Sequence, residues 1–280
     1  MTMTIRHDRV GPILVLGANG KTGGRVAERL RAQGRDVRLG SRSASPRFDW
    51  EDRSSWTAAL DGVAAVYVAY QPDLAVPGAL EVVQAFFAVA ERAGVKQVVL
   101  LSGRGEPEAL DAERALQATT LDWTIIRASW FFQNFSEAFF LEGLLANEVV
   151  LPEGLADEPF VDAEDIADIA VEAFTEAGHS RKLYEVTGPR ALSFRETVET
   201  IAAATGRDIA FVTIPLEAYR EGLAQALPSE MVDLVIYLFT TVLDGRNTPV
   251  AHGVAQALGR PPGDFEAYVA RTAATGVWSA

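Results

Sequence analysis

The chain has no cysteine among its 280 residues. That absence removes disulfides, thiolate nucleophiles, zinc ribbons and iron–sulfur clusters together, and points to a reducing, cytoplasmic setting. Histidine is nearly as scarce: His7, His179 and His252 stand far apart, with no carboxylate-rich ligand spacing around them. No metal is expected. Positive charge is also short, since 25 Lys and Arg against 38 Asp and Glu leave a formal charge of −13. A surface of this sign repels phosphate backbones and anionic lipid, so nucleic acid is not an expected partner. Long apolar runs are missing too. Ile13 to Leu16, behind Arg6 and Arg9, is too brief for a secretion signal, and Leu234 to Leu243 is too brief to span a bilayer. No membrane partner is expected, and Asn134-Phe135-Ser136 matches a glycosylation sequon by chance.

What is present is ordinary for a globular chain, 49% apolar and 22% charged, with length enough to bury a full core. Short β-branched runs alternate with helical patterns: "PILVLG", "DVRLGS", "AAVYVAY", "KQVVLLS", "DWTIIRAS" and "KLYEVTG" each precede a segment of helical period. Strands apolar on both faces and separated by helices predict an α/β fold with a doubly wound parallel sheet. In the helix predicted after Gly78, Val82, Val83, Phe86, Phe87 and Ala90 recur at spacings of three and four, and Gly94 stops it. In "VDAEDIADIAVEAF", Asp162 is the expected N-cap, and its acids are read as caps and dipole partners rather than metal ligands. Beyond Leu151 the alternation loosens. Residues 1–151 are therefore expected to form a dinucleotide-binding Rossmann domain. Residues 152–280 are expected to form mainly a smaller α+β substrate-side domain, with a strand at 182–188 returning to the main sheet.

The strongest motif is "ILVLGANGKTGGRVAERL", which sets Gly17, Gly20 and Gly23 at GxxGxxG spacing between the first strand and an amphipathic helix. The first glycine permits the tight turn, the second lets backbone approach a diphosphate, and the third permits close packing. The helix start then offers amides and a dipole to the anion, with Asn19, Lys21 and Thr22 on the same loop. A triphosphate-binding loop would need glycine where Val15 stands. The second strand runs into Gly40, Ser41 and Arg42 without an acid for a ribose hydroxyl. A hydroxyl and a cation suit a 2′-phosphate, so NADP is expected over NAD.

In an open α/β sheet the ligand sits beyond the carboxyl ends of the strands. That places Tyr70 and Gln71, Ser102 to Glu106, and Ser129 to Asn134 around a small-molecule site. Trp130 and Phe131 are candidate walls for a flat substrate, with Trp130 starting a helix at the strand end; Gln71 and Asn134 are polar fixings, and Arg104 lies between two glycines. Phe135, in the same aromatic cluster, is expected in the core.

Taken in order, "GANGKTGGRVAERL", "GSRS", "LLSGRGE", "DWTIIRASWFFQNF" and "FVDAEDIADIA" resemble the NmrA-like branch of the atypical short-chain dehydrogenase/reductases, and within it the bacterial relatives of the ergot-type festuclavine and agroclavine dehydrogenases. The resemblance implies a catalytic role for Ser102 and an adenine contact for Asp49 and Trp50 after a short third strand. It also implies a Tyr-Lys acid pair on the next helix. None exists: between Val98 and Leu116 there is neither tyrosine nor lysine. An iminium ion needs no proton at hydride transfer, whereas a carbonyl does. The expected activity is therefore NADP-dependent reduction of a small unsaturated substrate, an imine or iminium in the leading version. Glu106 is then the expected anion for a cation, with Asp162 as a weaker candidate. The alternatives are a non-catalytic NADP-binding sensor and a quinone or enone reductase.

Overall fold

A computed structural model describes residues 11–279 of the chain. His7, Arg6 and Arg9 lie outside the described residues. In chain order the elements begin with β1 (Ile13–Leu16), α1 (Lys21–Ala32), β2 (Val37–Gly40), α2 (Ser54–Leu60), β3 (Ala65–Val68) and α3 (Ala79–Arg92). Next come β4 (Gln97–Gly103), α4 (Pro107–Gln117), β5 (Asp122–Ala128), α5 (Leu141–Leu145), β6 (Glu148–Pro152), α6 (Ala163–Thr175) and β7 (Lys182–Val186). The series closes with α7 (Phe194–Thr205), β8 (Ala210–Ile214), α8 (Leu216–Ala224), α9 (Ser229–Tyr237), α10 (Gly253–Leu258) and α11 (Phe265–Ala273).

Six strands pair in parallel in the order β2-β1-β3-β4-β5-β7, the doubly wound sheet the alternation predicts. The physical reason is visible in β1 and β3, whose "ILVL" and "AVYV" are buried at every position and so need cover on both faces. From β1 the chain steps outward to β2, then back past β1 to β3. That reversal leaves a crevice beyond the carboxyl ends of β1 and β3, where such folds hold ligands.

The chain divides into two compact units. The first comprises the chain up to Ala128, Ala163–Val186 and His252–Arg260; the second comprises Ser129–Asp162, Thr187–Ala251 and the chain from Pro261 onward. Strand β7 extends the sheet beside β5, as expected of the strand at 182–188, and α6, which a break near residue 151 would have kept apart, joins the glycine-loop unit with it. There α6 carries its acids to the arginines of α1: Arg25 bonds Glu164 at 2.6 Å, and Arg29 bonds Asp168 at 2.8 Å. Arg260 adds bonds to Asp165 and Asp168. These carboxylates serve ion pairs across the unit, not only the start of their own helix.

The first unit packs Trp56, Phe86, Phe87, Val66 and Leu100 into one apolar cluster. The second has its own core of Phe132, Phe135, Phe160, Phe265, Tyr268 and Trp278, and a two-stranded parallel sheet of β6 and β8. Its helix α7 is capped by Ser193, which accepts the amide of Glu196.

Candidate functional site

The glycine loop has the form that its spacing requires. Gly17 has φ of 67°, a left-handed backbone, and the amide of Gly20 donates to its carbonyl at 2.8 Å. A Cβ at Gly23 would fall 2.3 Å from the Gly17 oxygen, so α1 approaches the loop as closely as only glycine permits. At Gly20 a Cβ would meet that same oxygen at 3.2 Å and Gln71 at 3.4 Å, which brings the end of β3 against the loop. The N-cap of α1 is Gly20 itself, with no side chain bonded across the helix start and no acid in the first turn. Backbone amides and the positive end of the helix therefore face the crevice, and this cradle fits a dinucleotide diphosphate. Asn19 is exposed at the tip, Lys21 is half-buried and Thr22 is buried.

Strand β2 ends at Gly40, where a Cβ would collide with Leu16 at 2.4 Å. Beyond it Ser41 is half-buried and Arg42 exposed, with no carboxylate at the strand end. No strand forms between Gly40 and Ser54, contrary to the expectation of a short third strand before Asp49. The segment turns instead. Asp49 accepts from Arg47 at 2.5 Å, and its carbonyl accepts from the Trp56 indole at 2.7 Å. Trp50 is half-buried against Phe48, Phe86 and Tyr70, the last with ring centroids 4.9 Å apart. Trp50 and Tyr70 thus meet at the edge of the apolar cluster, while Gln71 is exposed.

Ser102 is buried at the end of β4, and its hydroxyl donates to Glu113 at 2.6 Å. Glu113 lies on the sheet side of α4 and is held by Arg127 of β5 through bonds of 2.9 and 2.6 Å. Its carboxylate also raises the Arg127 pKa, tightening that proton. Arg127 and Arg104 both reach Glu185 of β7, Arg104 at 2.7 Å. Ser102, expected as a catalytic and cofactor-binding residue, and Arg104, expected at the substrate, are members of a partly buried charged lattice that ties α4 to three strands.

Glu106 occupies the N-cap position of α4 and is 7% exposed. Its carboxyl lies over Gly103, where a Cβ would come within 2.2 Å of it. It faces Asp73, which follows β3 and accepts the Ala75 amide at 2.8 Å, and it feels the charge of Glu108. The arginines nearest along the strands are engaged with Glu113 and Glu185. Burial first, then the charge of Asp73, push the Glu106 carboxyl up to about 9, and burial raises Asp73 as well. Burial and the like charge of Asp73 both favour the neutral form of Glu106. The sequence suggests an anion at Glu106; in the fold it faces a second carboxyl, a neighbour that disfavours that charge.

The remaining candidates belong to the second unit. Trp130 does not start a helix: Phe131 bridges to Val161, and only a single 3-10 turn, Phe132–Phe135, follows. Trp130 is half-buried among Phe139, Phe140, Phe194 and Phe239, and Phe135 is fully buried. Phe131 and Asn134 are half-buried, and the Asn134 carbonyl accepts from Phe140. Asp162, weighed as an anion for a cationic ligand, is buried and accepts from Gln133 at 2.7 Å and from Arg271. Among the described residues, no group of three His, Asp or Glu could hold a metal, and no helix is long and apolar enough to cross a membrane.

No protein-family model matches the chain. An oxidoreductase of Bacillus subtilis, YesF, is 30% identical over 96% of this chain and 98% of its own. The chain belongs to the NmrA-like branch of the atypical short-chain dehydrogenase/reductases. Festuclavine dehydrogenase of Aspergillus fumigatus is 29% identical over 90% of this chain and 94% of its own. An NADPH-bound quinone oxidoreductase structure from Escherichia coli superposes with a TM-score of 0.74, covering 92% of this chain and 99% of its own at 20% identity, a likeness of fold. This NmrA-like chain is accordingly a nicotinamide-dependent oxidoreductase of the atypical type.

Sequence reasoning about this NmrA-like oxidoreductase missed Asp73, Glu113, Arg127 and Glu185. Glu113 carried a signal: it shares the buried face of α4 with Ala109, Ala112 and Leu116, where an acid demands a partner. Asp73 carried none beyond its place after a strand.

Proposed function

We propose that this protein is an NADPH-dependent reductase of a small, flat, unsaturated acceptor, an imine or iminium in the leading version, working without a Tyr-Lys pair. The observation that carries this reading is the environment of Ser102. Its hydroxyl is committed to Glu113 at 2.6 Å, and α4, "PEALDAERALQ", holds no tyrosine or lysine. A simple ketone needs an acid at the nascent alkoxide, whereas an iminium becomes a neutral amine when hydride arrives. The relative named festuclavine dehydrogenase supports an acceptor of that kind.

NADPH, when bound, supplies the hydride. The amides at Gly20 and the start of α1 would hold its diphosphate, with Asn19, Lys21 and Thr22 beside them. Ser41 and Arg42 would receive the 2′-phosphate, and the absence of an acid after Gly40 favours NADP over NAD. Asp49, Trp50 and Tyr70 would flank the adenine end, and Gln71 would border the loop at Gly20. A quinone or enone is the second reading, favoured by the carboxyl of Glu106 seated over Gly103 beyond the strand end, where burial pushes it up.

The test is NADPH oxidation against cyclic imines, enones and quinones, with NADH as control. Reduction of one class at a kcat/KM at least tenfold higher with NADPH is the expected result. Abolished turnover in Ser102→Ala with unaltered NADPH binding would make the serine the proton donor and overturn the acid-free reading. Binding of NADPH with no turnover of any class would leave a sensor, not a reductase.

A further inference from the structure

Buried Glu106 and half-buried Asp73 form a carboxyl pair that nothing in the glycine loop, the Ser102 lattice or the apolar core requires. The two side chains come from the loops after β3 and β4, both at the carboxyl edge of the sheet. Gln71, two residues before Asp73, borders the diphosphate cradle. Gly103 leaves the Glu106 carboxyl a seat that any Cβ would fill. Among the described residues, the titratable groups that act on the pair are each other and Glu108, while Arg104 bonds Glu185 and Arg127 bonds Glu113 and Glu185.

We propose that Asp73 and Glu106 share one proton and together supply the proton that a quinone or enone acceptor takes up on reduction by this protein. The inference rests on the reductase reading and names the acid that the missing tyrosine would otherwise provide. The step balances as follows: the acceptor gains hydride at one atom from reduced nicotinamide, which is oxidised. The Glu106 O–H bond breaks, and its proton passes to the acceptor oxygen. The pair is left as two carboxylates that repel each other, and Asp73, the less buried of the two, recovers a proton from water. Iminium acceptors draw nothing from this store.

The experiment joins a titration of the cofactor-free protein to turnover. Infrared difference spectra should show a protonated carboxyl band at neutral pH that persists above pH 8 in the wild type and is absent in Glu106→Gln. Asp73→Asn, which keeps a hydrogen-bonding side chain, should retain the band and titrate at least one pH unit lower once the like charge is gone. With a quinone, wild-type kcat should fall at alkaline pH in step with that band. Glu106→Gln should lose at least tenfold in kcat and the alkaline limb with it, while the KM for NADPH stays within twofold. Absence of the band in the wild type, its survival in Glu106→Gln, or an unaltered midpoint in Asp73→Asn overturns the proposal, and the last holds even if Glu106→Gln fails to fold. Turnover with Glu106→Gln matching wild type overturns this inference alone. A wild-type chain that reduces no acceptor overturns the reductase reading and the inference together.

Discussion

Glu106 and Glu113 stand seven residues apart at the start and in the middle of α4, both buried below a tenth of their full exposure, and they behave oppositely. Glu113 meets Arg127 in a two-bond ion pair and takes a third bond from Ser102. Glu106 meets Asp73, and burial with that like charge pushes its carboxyl up. Burial alone disfavours the charged form of any carboxyl, so what separates the two is the sign of the partner that the fold delivers. The Glu113 environment is a structural tie across the sheet. The Glu106 environment stores a proton, at some expense in stability.

The largest effect should come from turning the first environment into the second. Arg127→Met leaves Glu113 buried without its cation, and breaking a buried pair from one side costs about 3–5 kcal/mol. Urea unfolding at pH 7 measures it. Adding Glu113→Gln to Arg127→Met should recover more than half of the loss, since the stranded charge is then gone. A loss below about 1 kcal/mol in the single variant would show that Glu113 is not tied as described.

The reverse operation, relieving Glu106, should be next in size and opposite in sign. Glu106 ordinarily titrates near 4.5 and is raised to about 9 in the fold. Below the lower value the carboxyl is protonated in folded and unfolded chains alike and adds no pH dependence. Between the two values the unfolded chain releases its proton while the folded chain retains it, so this group makes stability fall as pH rises. Glu106→Gln removes the penalty and should gain on the order of 1–3 kcal/mol at pH 8 and nothing at pH 4. Urea melts at the two pH values decide it, and an equal gain at both would assign the effect to packing.

How much of this contrast could be read from the chain differs from element to element. The six sheet strands and the glycine loop were legible because strand burial and loop geometry are local: "ILVL" is apolar throughout, and Gly17 and Gly23 meet within seven residues. Ser102, Arg104 and Glu106 were also legible as residues beyond a strand end. Their roles were not, since each is set by a partner distant in sequence or on another element. Arg104 depends on Glu185, 81 residues away, and Glu106 on Asp73. The return of β7 to the sheet was legible from its apolar run, but the placement of α6 in the first unit escaped for the same reason: the arginines of α1 that bind the α6 acids lie 139 residues earlier. Trp130 was misread locally, because the β-bridge of Phe131 to Val161 occupies the place where a helix pattern suggested a start.

A smaller effect sharpens the Glu113 side. Ser102→Ala deletes one bond to a carboxylate that Arg127 still holds twice, so the cost should be about 1 kcal/mol. The check is the same urea series, and the loss should shrink further when Glu113→Gln is already present, because the hydroxyl then serves a neutral partner. Additive losses would place Ser102 outside the tie.

The smallest expected change in stability tests the seat of Glu106. In Gly103→Ala the new Cβ would fall 2.2 Å from the Glu106 carboxyl, and that carboxyl is the far end of a flexible side chain. It can yield where backbone could not, so the net cost should stay below about 1 kcal/mol, a rotamer adjustment against one added methyl. Its titration should respond more. A carboxyl displaced from over Gly103 moves toward water, its desolvation weakens, and its midpoint falls from about 9 toward the ordinary range. Gly103→Ala should therefore lower the midpoint of the infrared carboxyl band by at least one pH unit with little change in urea stability. If the midpoint holds while stability collapses, Gly103 serves the backbone of β4, and the seat of the proton lies elsewhere.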